Sequence, residues 1–264
     1  EPARVLRAAR FEQRFGCKVE PRTERVSADA RELVGRVSGE RVRHELQLIM
    51  AEAEPERALC RLAELDVLPM IHPGLQCDLW FRNRAHELRS QAALAQDPES
   101  QVPPPMALGT DALPRLHLAL ATYRLSRDEL HEFIERFRIV KESQALLLEV
   151  ARLREQLEHL SLNQLKPSGI VALLDESSDE ARLLLRVATD SWLVRQRLDQ
   201  YQRKLRFIKP SIQGDDLRRM GLPPGPIYRD ILERLRSALL DGEISSRAAE
   251  EALVQEMAGA TSRT

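Results

Sequence analysis

The chain has 264 residues, 43% of them hydrophobic, which suits one large domain or two smaller ones with a sizeable core and argues against wholesale disorder. Forty basic and 41 acidic residues leave a net charge of −1, so a nucleic-acid partner would have to be met by a local basic stripe rather than by overall charge. No apolar run reaches the roughly eighteen residues of a membrane helix, no signal peptide is visible, and the absence of CxxC and HxxxH pairs excludes the usual structural zinc patterns. Cys17, Cys60 and Cys77 are odd in number and scattered, which fits a reducing cytosol and a cytoplasmic location without a membrane partner. The chain does not begin with Met, which suggests a fragment or a processed product.

Residues 1–16 open with Arg4, Arg7, Arg10 and Arg14 at three- and four-residue spacing, which gathers four guanidinium groups along one side of a helix. Val5, Leu6, Ala8, Ala9 and Phe11 supply its apolar surface, and Phe15-Gly16 ends it, glycine being the usual residue past a helix C-terminus. Such a row either presents rigid, always-charged donor forks to something planar and acidic, or is a solvated face balanced by Glu1 and Glu12. A second helix is expected over Glu24–Val34. Ser38 caps a third, in which Val42, Leu46 and Ile49 share one face and Arg41 and Glu45 stand as an i,i+4 ion pair. Pro55 opens the next, with Ala58, Leu59, Leu62 and Leu65 as its stripe, and residues 67–75 read as a turn rich in proline and glycine. A helix over Asp78–Gln96 follows, with Trp80 and Phe81 as core anchors.

Residues 98–110 form the clearest break, rich in proline and without periodicity, either a linker or a long surface loop. Beyond it the pattern is helical throughout. Helices are expected over Leu113–Tyr123, from Ser126 with Asp128 and Glu129 in the first turn, over Ile139–His159, after Pro167, over Ala181–Val187, and over Ser191–Phe207. Strand-like alternation is too brief to pair, so the fold expected is all-α. Within 195–209, Arg195, Arg197, Arg203, Lys204, Arg206 and Lys209 face only Asp199, a run that is either a nucleic-acid stripe or a solvated face. Asp215-Asp216 reads as a helix cap. Gly225 before the helix Ile227–Leu240 either lets backbone N–H groups approach a phosphate, with Lys209, Arg218 and Arg219 nearby, or serves a turn that needs it.

Three of these stretches carry a resemblance. Glu1-Pro2-Ala3-Arg4-Val5-Leu6-Arg7-Ala8-Ala9-Arg10-Phe11 resembles the neck motif of class II tRNA nucleotidyltransferases and bacterial poly(A) polymerases, with Glu where Asp is usual. Val37-Ser38-Gly39-Glu40-Arg41-Val42-Arg43-His44-Glu45-Leu46 is similar to a second signature of that family, a helix that braces the nucleotide-reading one. Gly214-Asp215-Asp216-Leu217 followed by Gly221-Leu222-Pro223-Pro224-Gly225-Pro226 resembles its tail pattern. The phrase Arg10–Gly16 looks more like the large multidomain members, some of which add only A.

The resemblance implies an elongated all-α array of neck, body and tail helices: 1–97 as neck and start of body, 98–110 as linker or loop, 111–207 as helical body, and 208–264 as a tRNA-binding tail. It implies that Glu1 and Arg4, with Arg7, read the incoming ATP or CTP base, and that Arg195, Arg203, Lys204, Lys209, Arg218, Arg219 and Gly225 hold the tRNA acceptor and elbow. The function implied is the RNA-binding, nucleotide-selecting C-terminal portion of an enzyme that adds C and/or A to the tRNA 3′ end. A poly(A) polymerase of the same family, or a helical protein-binding scaffold without a catalytic role, are the alternatives. The carboxylates that hold Mg²⁺ in this superfamily have no counterpart here: no Asp-x-Asp occurs, and no P-loop, Gly-x-Ser-x-Gly or Ser/His/Asp set replaces them. No catalytic and no metal-ligating residue is therefore expected in this chain, which should not turn over alone.

Overall fold

A computed structural model describes residues 3–20, 33, 35–96, 108–109 and 111–261. Among the described residues the chain is all-α: fifteen α-helices, one short 3₁₀ turn and no strand. It divides into two compact units, residues 1–155 with 177–190, and residues 156–176 with 191–264.

The first unit is built from α1 (Ala3–Phe15), α2 (Gly39–Met50), α3 (Pro55–Glu64), α4 (Leu68–Ile71), α5 (Leu79–Gln96), α6 (Ala112–Ala121), α7 (Arg127–Phe137), α8 (Lys141–Glu155) and α11 (Asp179–Ala188). Helix α1 buries Ala3, Val5, Leu6 and Ala9 against α2 and α3. It stops where Gly16 takes a left-handed φ of 62° and the Cys17 N–H reaches back to the Glu12 carbonyl, closing the last turn. Helix α2 presents Val42, Leu46, Ile49 and Met50 to α3, α6 and α7, as its spacing predicts. The α2–α7 crossing is so close that a Cβ on Gly39 would stand 1.7 Å from the Arg136 carbonyl oxygen. Ser126 caps α7 with a reciprocal pair of bonds: its hydroxyl accepts from Glu129 N–H, and the Glu129 carboxylate accepts from Ser126 N–H. Phe81, Phe133 and Phe137 are sealed in the core, while Trp80 stacks on Tyr123 beneath the Arg124 guanidinium. Helix α11 completes this core with Leu183, Leu184, Leu185 and Val187 against α5, α6 and α8.

The second unit comprises α9 (Leu157–Leu160), α10 (Pro167–Leu174), α12 (Trp192–Arg203), the 3₁₀ turn Leu205–Phe207, α13 (Gly214–Arg219), α14 (Pro226–Leu240) and α15 (Arg247–Thr261). Its tail core is Ile212, Leu217, Ile231, Leu235 and Val254. The buried Glu250 carboxylate gathers the N–H groups of Ser211 and Ile212 and the Ser211 hydroxyl, pinning the segment before α13 onto α15. Asp216 caps α13 by accepting from Gln213 N–H, as expected of that acidic pair, and this bond, with Arg247 and Arg219 beside it, holds its carboxyl below the ordinary value.

Three local expectations change, and a fourth falls on residues the structure does not describe. The helix proposed for Glu24–Val34 lies, apart from Leu33, outside the described residues. The single helix over Ile139–His159 is two, α8 and α9, parted at Gln156. Buried Arg197 donates to the carbonyls of Leu160 and Leu162, an end for α9 supplied by a residue far along the chain. Residues 67–75 hold the short helix α4 rather than only a turn. The cysteines are not all unpaired: α3 brings Cys60 against the segment before α5, with 5.0 Å between its Cα and that of Cys77, and the two form a disulfide that leaves Cys17 exposed.

Candidate functional site

The four arginines of α1 part company according to what faces them. Arg10 is buried and donates to Glu52, which Arg14 also approaches at 3.7 Å. Glu12, expected as a surface counter-charge, is buried instead and accepts from Arg61 at 2.8 Å, tying α1 to α3. Arg4 and Arg7 lie at the other end, exposed, and line an open cleft of about 340 Å³ with Ala3, Glu40, Arg41, His44 and Glu45. Glu1 lies outside the described residues.

The floor of that cleft is Glu45, only 3% exposed. Its Oε1 accepts from both Nε and Nη2 of Arg7, at 3.1 and 2.7 Å, and so fixes the plane of that guanidinium. This bond between helices is one that the i,i+4 spacing of Arg41 and Glu45 does not predict. Glu40 at the rim accepts from Arg138 at 2.6 Å, so part of its negative charge is already answered from outside the cleft. Three guanidinium groups, those of Arg4, Arg7 and Arg41, thus line the cleft together with these two carboxylates. Rigid donor forks over an open floor can hold a base edge or a phosphate. They cannot act as nucleophile or general base. Nor do the described residues fit a divalent ion, since nowhere among them do three or more His, Cys, Asp or Glu side chains converge to hold one.

The sequence alone does not mark Arg41 and His44 as site residues. The available signal was their helical register with Glu40 and Glu45, one turn apart on the helix that faces α1.

In the second unit Arg203, Lys204, Lys209, Arg218 and Arg219 are exposed, and Arg195 is half-buried on α12. Arg219 and Arg247 both reach Asp216 Oδ1, at 2.9 and 2.8 Å, which adds Arg247 to the basic groups around α13. Arg197, part of the same basic run in sequence, is structural. Gly225 begins α14 with an extended backbone, and nothing lies within 4 Å of where a Cβ would project, so packing does not demand glycine there. Pro226 follows in the first turn of α14, whose N-terminus is exposed.

Comparison with known proteins adds three kinds of match. Residues 16–79 match the family described as "Probable RNA and SrmB- binding site of polymerase A". An A-adding tRNA nucleotidyltransferase of Geobacter sulfurreducens is 32% identical over 255 residues, covering 94% of this chain and 28% of that protein. An A-adding tRNA nucleotidyltransferase of Halalkalibacterium halodurans is 22% identical over 253 residues, covering 94% of this chain and 54% of that one. The chain thus spans between about a quarter and about half the length of these relatives. Among solved structures, the Thermotoga maritima CCA-adding enzyme complexed with tRNA superposes with a TM-score of 0.70 at 24% identity, over 99% of this chain and 61% of that one. That likeness is one of fold.

Proposed function

From the premise that this chain is a relative of the class II tRNA nucleotidyltransferases, we propose that it is the nucleotide-selecting and RNA-holding portion of an enzyme that adds C and/or A to the tRNA 3′ end. The observation that carries the reading is the open, arginine-lined cleft in which Arg4 and Arg7 meet Arg41 and His44 over the buried Glu45. In this reading Arg4, partnered by Glu1, offers hydrogen bonds to the base of ATP or CTP in place of a template strand. Arg7, held flat by Glu45, supports that base or its phosphates. Arg195, Arg203, Lys204, Lys209, Arg218, Arg219 and the amides after Gly225 hold the acceptor and elbow of tRNA through its phosphates. The Mg²⁺-binding carboxylates belong to a portion outside this chain, which alone does not turn over.

The test is the affinity of this chain for tRNA transcript over a salt series. Each phosphate neutralised by a cation releases counterions, so log K should fall linearly with log salt, by a slope of about 0.7–0.9 per contact. The triple variant Arg203→Ala/Lys204→Ala/Lys209→Ala should lower that slope by about 2 to 3. An affinity indifferent to salt would overturn the reading.

A further inference from the structure

Beyond the cleft, the outer side of α1 carries a second feature. Arg4, Ala8, Phe11 and Phe15 follow one another at intervals of four, three and four residues, which sets them in one row along the helix. None of the four is buried, and the row ends in Phe15, 67% exposed, with Phe11 36% exposed one turn before it. The two rings are stacked, with centroids 5.7 Å apart and planes 26° from parallel. The Arg10 guanidinium lies 4.5 Å from the Phe11 centroid, and that of Arg14 lies 5.7 Å from the Phe15 centroid. An exposed pair of phenylalanines forfeits the transfer free energy that burial would give it, so something other than the packing of this unit keeps it at the surface.

We propose that this row is a stacking track for the single-stranded 3′ end of the RNA, leading into the Arg4–Arg7 cleft. The proposal rests on the function argued above and names how that site receives its acceptor strand. An aromatic face that accepts a base beside a guanidinium that can meet a phosphate is the combination used to hold single-stranded nucleic acid. Here Phe15 and Arg14, whose side chain is 53% exposed, supply it, while Arg10 is buried against Glu52 and takes no part. The row is also continuous with the cleft. Eleven residues separate Arg4 from Phe15, about 16 Å at the helical rise, the span of roughly four to five stacked nucleotides.

The test compares two RNAs on the intact 264-residue chain: tRNA with its unpaired 3′ nucleotides, carrying 2-aminopurine at one of them, and tRNA trimmed flush with the acceptor stem. Phe15→Ala should weaken binding of the tailed RNA about tenfold and leave the trimmed RNA within about twofold, since a stacked base contributes that order of affinity. 2-Aminopurine fluorescence should be quenched on binding to the parent chain and to Phe15→Trp, and much less on binding to Phe15→Ala. Phe15 is exposed, so Phe15→Ala should match the parent in circular dichroism and melting, which separates lost stacking from lost fold. Equal weakening of both RNAs, no weakening of either, or a changed oligomeric state in Phe15→Ala with RNA affinity intact would overturn the stacking track alone. Failure of the parent chain to bind either RNA in a salt-dependent way would remove both the track and the function it rests on.

Discussion

Gly39→Ala is a perturbation whose sign the structure decides. Glycine at an ordinary helical position is less stable than alanine by roughly 0.5–1 kcal/mol, because it loses more backbone freedom on folding. On that ground alone the variant would be the more stable protein. In the structure, however, the added Cβ would meet Arg136 O at 1.7 Å, Arg136 C at 2.8 Å and Phe137 Cα at 3.2 Å. All three are backbone atoms, so no side chain can swing away. Helices α2 and α7 must part by more than an ångström across a core that includes Val42, Leu46 and the sealed rings of Phe133 and Phe137. Overpacking of this kind costs about 1–3 kcal/mol, and the packing between α2 and α7 is loosened besides. Steric cost therefore exceeds propensity gain, and a net loss of about 1–2 kcal/mol is expected. For a unit of this size that is a fall of about 2–8 °C in Tm. The assay is thermal and urea unfolding of both proteins followed by circular dichroism. An unchanged or raised midpoint would refute the close crossing, and with it the placement of Arg41, His44 and Glu45 by α2.

Two further outcomes follow from local features. Cys60 and Cys77 stand 17 residues apart, and closing a loop of that length stabilises by about 3 kcal/mol in the chain-entropy account, so dithiothreitol should lower the urea midpoint by a corresponding amount. Thiol titration should find one reactive group before reduction and three after it; three at the outset would refute the pairing. His72 and His117 are both held below the ordinary imidazole value of 6.5, chiefly by burial. For a group whose pKa is depressed in the folded protein, the stabilisation is complete above its unfolded pKa and is lost as pH falls through the folded one. Stability should accordingly decline as pH drops below about 6.5, before the carboxylates titrate. His117 Nδ1 lies 3.0 Å from the Met50 carbonyl, so His117→Gln, which can keep a donor there, should flatten the decline. Stability that is level or rising between pH 6.5 and 5.5 would contradict this.

What could be read in the sequence was what neighbours along the chain decide. The α1 register, its end at Gly16, the Ser126–Glu129 capping box and the Asp216 cap all depend on residues within a turn or two. The all-α class followed from the same short-range periodicity. Features set by distant residues were not legible. Nothing near Leu160 shows how α9 ends, because the groups that finish it come from Arg197, thirty-seven residues beyond. Glu45 has Arg41 one turn before it, and only folding shows that it binds Arg7 on another helix. The row of α1 arginines could be read as one face, but Glu52 and Glu12–Arg61 divide it in two. His44 and Arg41 entered the cleft for the same reason: their helical register was visible, while the helix they look at was not.

The first unit returns to finish itself with α11 after the chain has left it at Glu155. A polypeptide emerging in order from its N-terminus thus holds α1, α2 and most of this unit's scaffold for more than twenty residues before the last apolar wedge, Leu183 to Val187, is available to close them. Truncation at 155 should yield a sticky, incompletely packed species, whereas the same stretch joined through a short turn directly to residues 177–190 should fold. Dissection of this protein has to follow the order of its packing, which is not the order of its synthesis.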